Sequence, residues 1–471
     1  MSRQQVTGYG LQVTGPVLVV GLGATGLSVA RYLARKGVPF AVTDSRDQPP
    51  KMKGLAAFGD VPRRFGGFAS PLPLGEIAEA VVSPGISLQE PFIRELQSAG
   101  IPVVGDIELF ARELGHRAMD SDTESPSESP ITHQQSRLIA ITGSNGKSTV
   151  TALVGAMTEA AGLRVAVGGN FGTPALDLLD DDIELYVLEL SSFQLELTDS
   201  LRPTAAVVLN VSPDHIDRHG SLDRYADLKA RAFRGAGTAV VNVDDPRVAA
   251  MATGDAAVVR FSTAGEADWH LREDADGTIR LCAGDEPLCR ADELKLRGRH
   301  NLGNALAALA VGEAAGLPRL AMLAALREFP GLPHRCRWVA RVNEVDYVDD
   351  SKGTNVGAML ASLEGVAGPI VLLAGGEAKG GDFAPVRPVM AAKGRAAVLF
   401  GTDAGRIEAV LSGVVPMHRA ANMDEAVRTA ADAARPGDTV LLSPGCASFD
   451  MFRDYRERGE RFAAAVGRLS A

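Results

Sequence analysis

The segment Thr142-Gly143-Ser144-Asn145-Gly146-Lys147-Ser148-Thr149 constrains this chain more than any other. It follows a strand-length apolar run, Leu138–Ile141, and leads into a helical pattern. A glycine-rich turn between a strand and a helix presents backbone N–H groups that cradle phosphate oxygens. A lysine in the turn neutralises β/γ-phosphate charge, and a Ser or Thr hydroxyl ligates Mg²⁺. The general form of such loops begins with a glycine where this chain has Ile141. Strand, glycines, Gly-Lys-Ser-Thr and helix still come in the order that nucleotide binding requires. Gly143, Ser144, Asn145, Gly146, Lys147, Ser148 and Thr149 are therefore candidate ATP contacts.

A second glycine loop, Gly21-Leu-Gly23-Ala-Thr-Gly26, follows a strand expected at Pro16–Val20. The helix after it, Leu27–Lys36, places Ala30, Leu33 and Ala34 on one face, and Gly37 ends it. A strand at Phe40–Thr43 then delivers Asp44 at its carboxyl end. This arrangement suits a pyrophosphate on a helix N-terminus, as in dinucleotide-dependent dehydrogenases, and equally suits a plain tight βα turn. Both readings stay open on these residues.

Short β-branched runs alternate with amphipathic segments along the whole chain, the pattern of parallel sheets covered by helices. Strands are expected at Leu185–Leu190, Ala205–Val211 and Thr238–Val243, and later at Ile370–Ala374, Ala396–Phe400 and Thr439–Leu442. Trp269–Cys282 reads as two strands around a turn, and Asn301–Ala315 as a helix. At 471 residues the chain exceeds one ordinary core. The expectation is an α/β protein of three domains: Rossmann-like at 1–117, P-loop ATPase-like at 137–331, and Rossmann-like at 332–471. Residues 118–136 are polar and rich in Pro and Ser, and are expected to form a flexible linker or insertion; a regulatory or docking tail is the other reading.

A net charge of −10 argues against general binding to nucleic acid. The four cysteines lie far apart with no CxxC pair, so neither a disulfide scaffold nor a zinc site is expected. The N-terminus lacks the apolar core of a signal peptide, and no apolar run approaches the ~18 residues of a membrane helix. A cytoplasmic chain without membrane insertion is the expectation.

Polar groups gather at predicted strand ends, where open α/β sheets bind ligands. Glu189 closes an apolar run, and a carboxylate there is costly to bury unless a cation or metal meets it. Asn210-Val-Ser-Pro-Asp214-His215-Ile-Asp217 follows another strand. Alone, His215 could be a surface histidine and Lys229 a solvated helical lysine. Arg299-His300-Asn301-Leu-Gly-Asn304 could be a helix N-cap. Asp349-Asp350-Ser351-Lys352, Gly375-Gly-Glu-Ala-Lys379 and Ser443-Pro-Gly-Cys-Ala-Ser448 end three further strands and suggest one site wall.

These motifs, together with Leu332-Pro-His-Arg335 and Asp350-Ser-Lys-Gly-Thr354-Asn355, resemble the Mur ligase family across nearly the whole chain. Within the family, Gly21–Gly26, Ser83-Pro-Gly85-Ile, Gly105-Asp-Ile-Glu-Leu-Phe110 and Tyr186–Glu196 are most similar to the ligases that take UDP-N-acetylmuramoyl-L-alanine and D-glutamate. The resemblance implies ATP and Mg²⁺ as cofactors, an acyl-phosphate intermediate, and an expected monomer. It implies that Lys147, Glu189, His215 and Lys229 are catalytic. Ser148 and Glu189 would bind one Mg²⁺, and His215 a second, supported by Lys229 once carbamylated. Asn304, Arg335, Asp350 and Lys352 would add ATP contacts. Ala24, Thr25, Asp44, Ser45, Arg46, Gly85, Asn170, Gln194 and His215 would hold the UDP-substrate. Thr354, Lys379, Ser448 and Tyr455 would receive D-glutamate, Tyr455 standing where the family pattern has phenylalanine. A sister ligase for another amino acid, an NAD(P) dehydrogenase built on Gly21–Gly26, and a non-catalytic nucleotide-binding regulator are the competing readings.

Overall fold

The computed structural model describes residues 15–123, 136–251, 254–296, 298–366 and 368–469. Three sheets organise them. The first is wholly parallel: strands Val17–Val20, Phe40–Asp44, Arg63–Phe65, Glu79–Val82 and Val103–Val104, counted in chain order, lie side by side as 3-2-1-4-5. The helix behind the first glycine loop, Ala24–Arg35, buries Val29, Ala30, Tyr32 and Leu33. Ala34 is exposed, so the apolar face turns toward Tyr32 and Val29 and away from the expected Ala34.

The central sheet has nine strands. Arg137–Thr142 lies between Leu185–Glu189 and Ala205–Val208, all parallel, with Ile141 beside Glu189 and Thr142 beside Val208. From Thr142 the chain fills one side of the sheet with Val165–Gly169 and Leu185–Glu189, then crosses to Ala205–Val208 and Thr238–Asn242 on the other. That reversal opens a crevice at the carboxyl end of Arg137–Thr142, where the phosphate loop sits. Trp269–Glu273 and Ile279–Ala283 pair antiparallel, as their pattern indicated, and Glu286–Arg290 extends them to the edge. Helix Arg299–Ala314, buried along most of its length, packs against Lys147–Ala160.

The third sheet runs Arg337–Val342, Val345–Asp349, Thr439–Leu442, Ile370–Gly375, Gly394–Phe400, Met417–Arg419; its first pair is antiparallel and the rest parallel. The stretch read as linker begins helically: Asp106–Thr123 is one helix that runs past residue 118. Residues 124–135 of that stretch lie outside the described residues. Among the described residues no helix is long and apolar enough to cross a membrane.

Candidate active site

Glycine makes the phosphate loop possible. Gly143 (φ 153°) and Gly146 (φ 84°) take positive φ, which side chains rarely adopt. A Cβ on Gly146 would also run into Asn304 Oδ1. Gly146 caps helix Lys147–Ala160. Lys147 Nζ donates to the carbonyls of Gly143 (2.8 Å) and Ser144 (2.9 Å). Burial depresses its pKa, against the opposing pull of Glu189 and Asp214. Glu189 is 2% exposed at its strand end. Ser148 Oγ donates to Glu189 Oε2 (2.6 Å) and Asn170 Nδ2 donates to Oε1 (2.7 Å). Arg335 Nη2, arriving from the third domain, donates to Ser148 Oγ at 2.8 Å.

Arg335 is aimed there by unusual backbone. His334 (φ 62°) and Cys336 (φ 49°) on either side are non-glycine residues in the left-handed region, a conformation that surrounding contacts must hold. His334 Nδ1 lies 2.6 Å from Asp349 Oδ2, and the Cys336 amide donates to Asp350 Oδ1 at 3.3 Å.

The opposite wall is an amide network. Asn145 N donates to Asn210 Oδ1 (2.8 Å), and Asn210 Nδ2 returns a bond to Asn145 O (3.1 Å). Asn355 Nδ2, from the third domain, reaches both Asn145 Oδ1 and Asp214 Oδ2 at 3.3 Å. His215 (φ 54°) heads the short helix Ile216–His219, with Nε2 3.8 Å from Asp214 Oδ2 and its ring edge-on to Phe193.

Lys229 is 1% exposed, which overturns the solvated-lysine reading. Helix Leu222–Ala230 turns that face inward, so Nζ donates to Gly143 O at 2.8 Å and lies 4.3 Å from the centre of the Tyr225 ring. Burial, reinforced by the Lys147 charge, holds its pKa well below the ordinary lysine value. The Arg299–Asn304 motif does not cap its helix either. Gly298 is the cap, and Asn301 and Asn304 are buried within the first turns.

A cleft of about 380 Å³ opens between the central and third domains. Asn145, Gly146, Thr149, Asn304, Arg335, Asp350 and Lys352 line it, so candidates from two domains meet in one place. Asp350 Oδ2 accepts from Ser362 Oγ (2.7 Å) and Ser443 Oγ (2.8 Å), while burial pushes its carboxyl up to about 6. Burial and the Arg335 charge bring Lys352 down to about 8. Lys352 Nζ sits 4.3 Å from the Tyr455 ring centre, so Tyr455 joins the Lys352 side of the cleft. Ser448 is buried, Lys379 is exposed at φ 46° with Nζ 5.7 Å from the Phe449 ring centre, and the Thr354 amide donates to Lys352 O at 2.8 Å.

The candidates on the first sheet form a separate group. Ala24, Ser45, Arg46 and Gly85 are exposed at its carboxyl edge and Thr25 is half-buried. Asp44 is buried and spends both oxygens locally: Leu22 N and Arg46 Nη2 donate to Oδ2 (2.7 Å each), Arg46 N and Nε to Oδ1 (2.9 and 2.8 Å). Asn170 belongs with Glu189, and Gln194 bridges toward the first domain through Asp106 Oδ2 at 3.3 Å.

Sequence reasoning missed Asn242, the last residue of strand Thr238–Asn242, and Asp244 and Thr263 just beyond strand ends, all of which line the cleft. It also missed Arg458, fully buried, whose guanidinium donates to Ser351 Oγ, Ser351 O and Cys446 O. The available signal was an arginine in line with Phe462 and Ala465 on the apolar face of helix Tyr455–Gly467.

Three family profiles match the chain in order: "Mur ligase MurD-like, N-terminal domain" over residues 15–105, "Mur ligase middle domain" over 141–312, and "Mur ligase, glutamate ligase domain" over 334–446. The chain is 50% identical to the UDP-N-acetylmuramoylalanine–D-glutamate ligase of Nitrosococcus oceani, covering 97% of each chain. It is also 50% identical to the ligase of that name from Methylococcus capsulatus, covering 98% of this chain and 96% of the relative. Among solved structures, the MurF ligase of Thermotoga maritima in complex with ADP aligns with a TM-score of 0.59 at 17% identity, over 99% of this chain and 97% of that one.

Proposed function

The chain belongs to the Mur ligase family, and from that premise we propose that it joins D-glutamate to UDP-N-acetylmuramoyl-L-alanine, with ATP as phosphoryl donor, in peptidoglycan precursor synthesis. The observation that carries this reading is the convergence on one loop of Lys147, the Ser148–Glu189 pair and Arg335 from another domain. A carboxylate is a poor electrophile at neutral pH. Transfer of the γ-phosphoryl to it gives an acyl phosphate; attack by the uncharged amine of D-glutamate then forms the amide and releases phosphate. The first step needs positioning and charge neutralisation, which Lys147, the loop amides and Arg335 supply. Closure of the third domain over the loop excludes water from the acyl phosphate.

Mg²⁺ fits the donor set. Ser148 and Glu189 offer hard oxygens side by side, and phosphate and water would complete the shell of an ion held there. When bound it supplies charge stabilisation on the transferring phosphoryl group. His215 would hold a second ion. Burial holds the Lys229 pKa well below the ordinary lysine value, which favours the uncharged amine that carbamylation by CO₂ would need. The UDP-substrate would lie along the first sheet's carboxyl edge, at Ala24, Thr25, Asp44, Ser45, Arg46 and Gly85. Gln194, Asn170 and His215 would line the path to the loop, and Thr354, Lys379, Ser448 and Tyr455 would receive D-glutamate. One chain contributes every group in this reading, so a cytoplasmic monomer suffices.

The test is phosphate release from ATP and Mg²⁺ with UDP-N-acetylmuramoyl-L-alanine while the amino acid is varied. Release that depends on D-glutamate, with the ligated product detected, is the expected result. Release driven by a different amino acid would move the chain to another branch of the family.

A further inference from the structure

His219 lies outside every role assigned above, yet it is 5% exposed at the end of helix Ile216–His219. Its Nε2 is 3.0 Å from Ser192 Oγ. Its Nδ1 is buried without a hydrogen-bond partner among the described residues. Protonation would leave that nitrogen as a buried, unpaired N–H, so the ring is neutral.

The ring is a wedge between two others. Phe193 stacks on it at 5.0 Å between centroids with planes 26° apart, and Tyr225 lies at 5.3 Å and 30°. Tyr225 then carries Lys229 Nζ 4.3 Å from its ring centre, and its hydroxyl is 3.3 Å from Ser144 Oγ in the phosphate loop. Lys229 in turn donates to the loop carbonyl of Gly143. One column therefore runs Phe193, His219, Tyr225 and Lys229, and it touches the loop at two residues. Three different elements supply it: helix Ser192–Glu196, helix Ile216–His219 and helix Leu222–Ala230. Stacked rings attract one another beyond the burial of their area, which biases each side chain toward one rotamer.

We propose that His219 is a positioning residue for nucleotide binding: its ring fixes the Tyr225 ring, and through it the phosphate loop at Gly143 and Ser144. This rests on the reading of the loop as the ATP site. Aromatic shape is what the role requires, and the Ser192 hydrogen bond orients the ring.

The test uses the full-length protein, with affinities read by calorimetry and without turnover. His219→Leu fills the space without an aromatic face, and His219→Phe keeps the face without the hydrogen bond. A non-hydrolysable ATP analogue with Mg²⁺ should bind His219→Leu about 10-fold more weakly than the unaltered chain, and His219→Phe within about 3-fold. UDP should bind all three alike, since its candidate contacts lie on the first sheet. The inference is overturned if His219→Leu binds the ATP analogue normally, or if His219→Phe loses as much as His219→Leu. A parallel loss of UDP affinity would also overturn it, by making His219 a packing residue of the whole junction. Unaltered protein that binds the analogue but shows no D-glutamate-dependent turnover would count against the proposed reaction and leave this inference standing.

Discussion

Asp106 shows how much one buried carboxyl can report. It is 2% exposed, one oxygen has no partner among the described residues, and the other accepts only from Gln194 Nε2 and nearby backbone. Burial pushes its pKa from the ordinary 3.8 to about 6. The folded chain therefore holds this proton more tightly than the unfolded chain does, and stability declines as pH rises from about 4 to 6. Asp106→Asn, which carries no charge to bury, should be more stable than the unaltered chain by about 3 kcal/mol at pH 7.5. The difference should vanish below pH 4. Urea unfolding at both pH values checks this; a gain that does not depend on pH would show that the carboxyl is not raised. From sequence, Asp106 enters only as part of the Gly105–Phe110 motif, because burial against a second domain leaves no local mark.

At the scale of elements, the start of helix Lys147–Ala160 is set by Gly146. Its left-handed conformation and the approach of Asn304 leave no room for a Cβ. Gly146→Ala should weaken binding of an ATP analogue at least ~100-fold, because the loop amides lose their aim, and should lower the thermal midpoint by a few degrees while UDP affinity changes little. A variant that binds ATP normally would mean the loop tolerates another path. The strand, the glycines and the helix were all legible, since local propensity and tertiary fold agree there. Helix Leu222–Ala230 was legible as a helix but its orientation was not. The same residues could face Lys229 to water, and only the neighbouring loop carbonyl and Tyr225 ring turn it inward. Ala34 failed for a related reason: a small residue beside an apolar face is tolerated on either side of its edge.

Two junctions join the molecule, and they differ in kind. Between the first and central domains, Glu108 takes bonds from Asp199 N, Ser200 N and Ser200 Oγ, and Arg31 and Arg35 reach Asp177 and the Leu176 carbonyl. Between the central and third domains the direct bonds among the described residues are fewer, Arg335 to Ser148 and Asn355 to Asn145 and Asp214, and they meet the proposed ATP contacts Ser148 and Asn145. The second junction should therefore open more readily. Arg335→Ala should increase the radius of gyration of the nucleotide-free protein in small-angle scattering, by an ångström or more. It should also weaken the ATP analogue, as the cleft loses one wall. An unchanged radius would show that packing around the joint, not Arg335, holds the domains together.

The sequence by itself determined the three α/β domains, the phosphate loop and the polar clusters at strand ends. Each of these is written in contiguous residues: periodicity sets strand and helix, glycine sets the turn, and a strand end sets where a side chain emerges. Tertiary structure decided what those clusters meet. It buried Lys229 against Gly143, spent Asp44 on its own loop, brought Arg335 to Ser148 across the joint, and placed His219 between two rings. Such facts depend on the packing of elements distant in sequence. Desolvation, pKa and hydrogen-bond choice follow from that packing, and no local pattern encodes them.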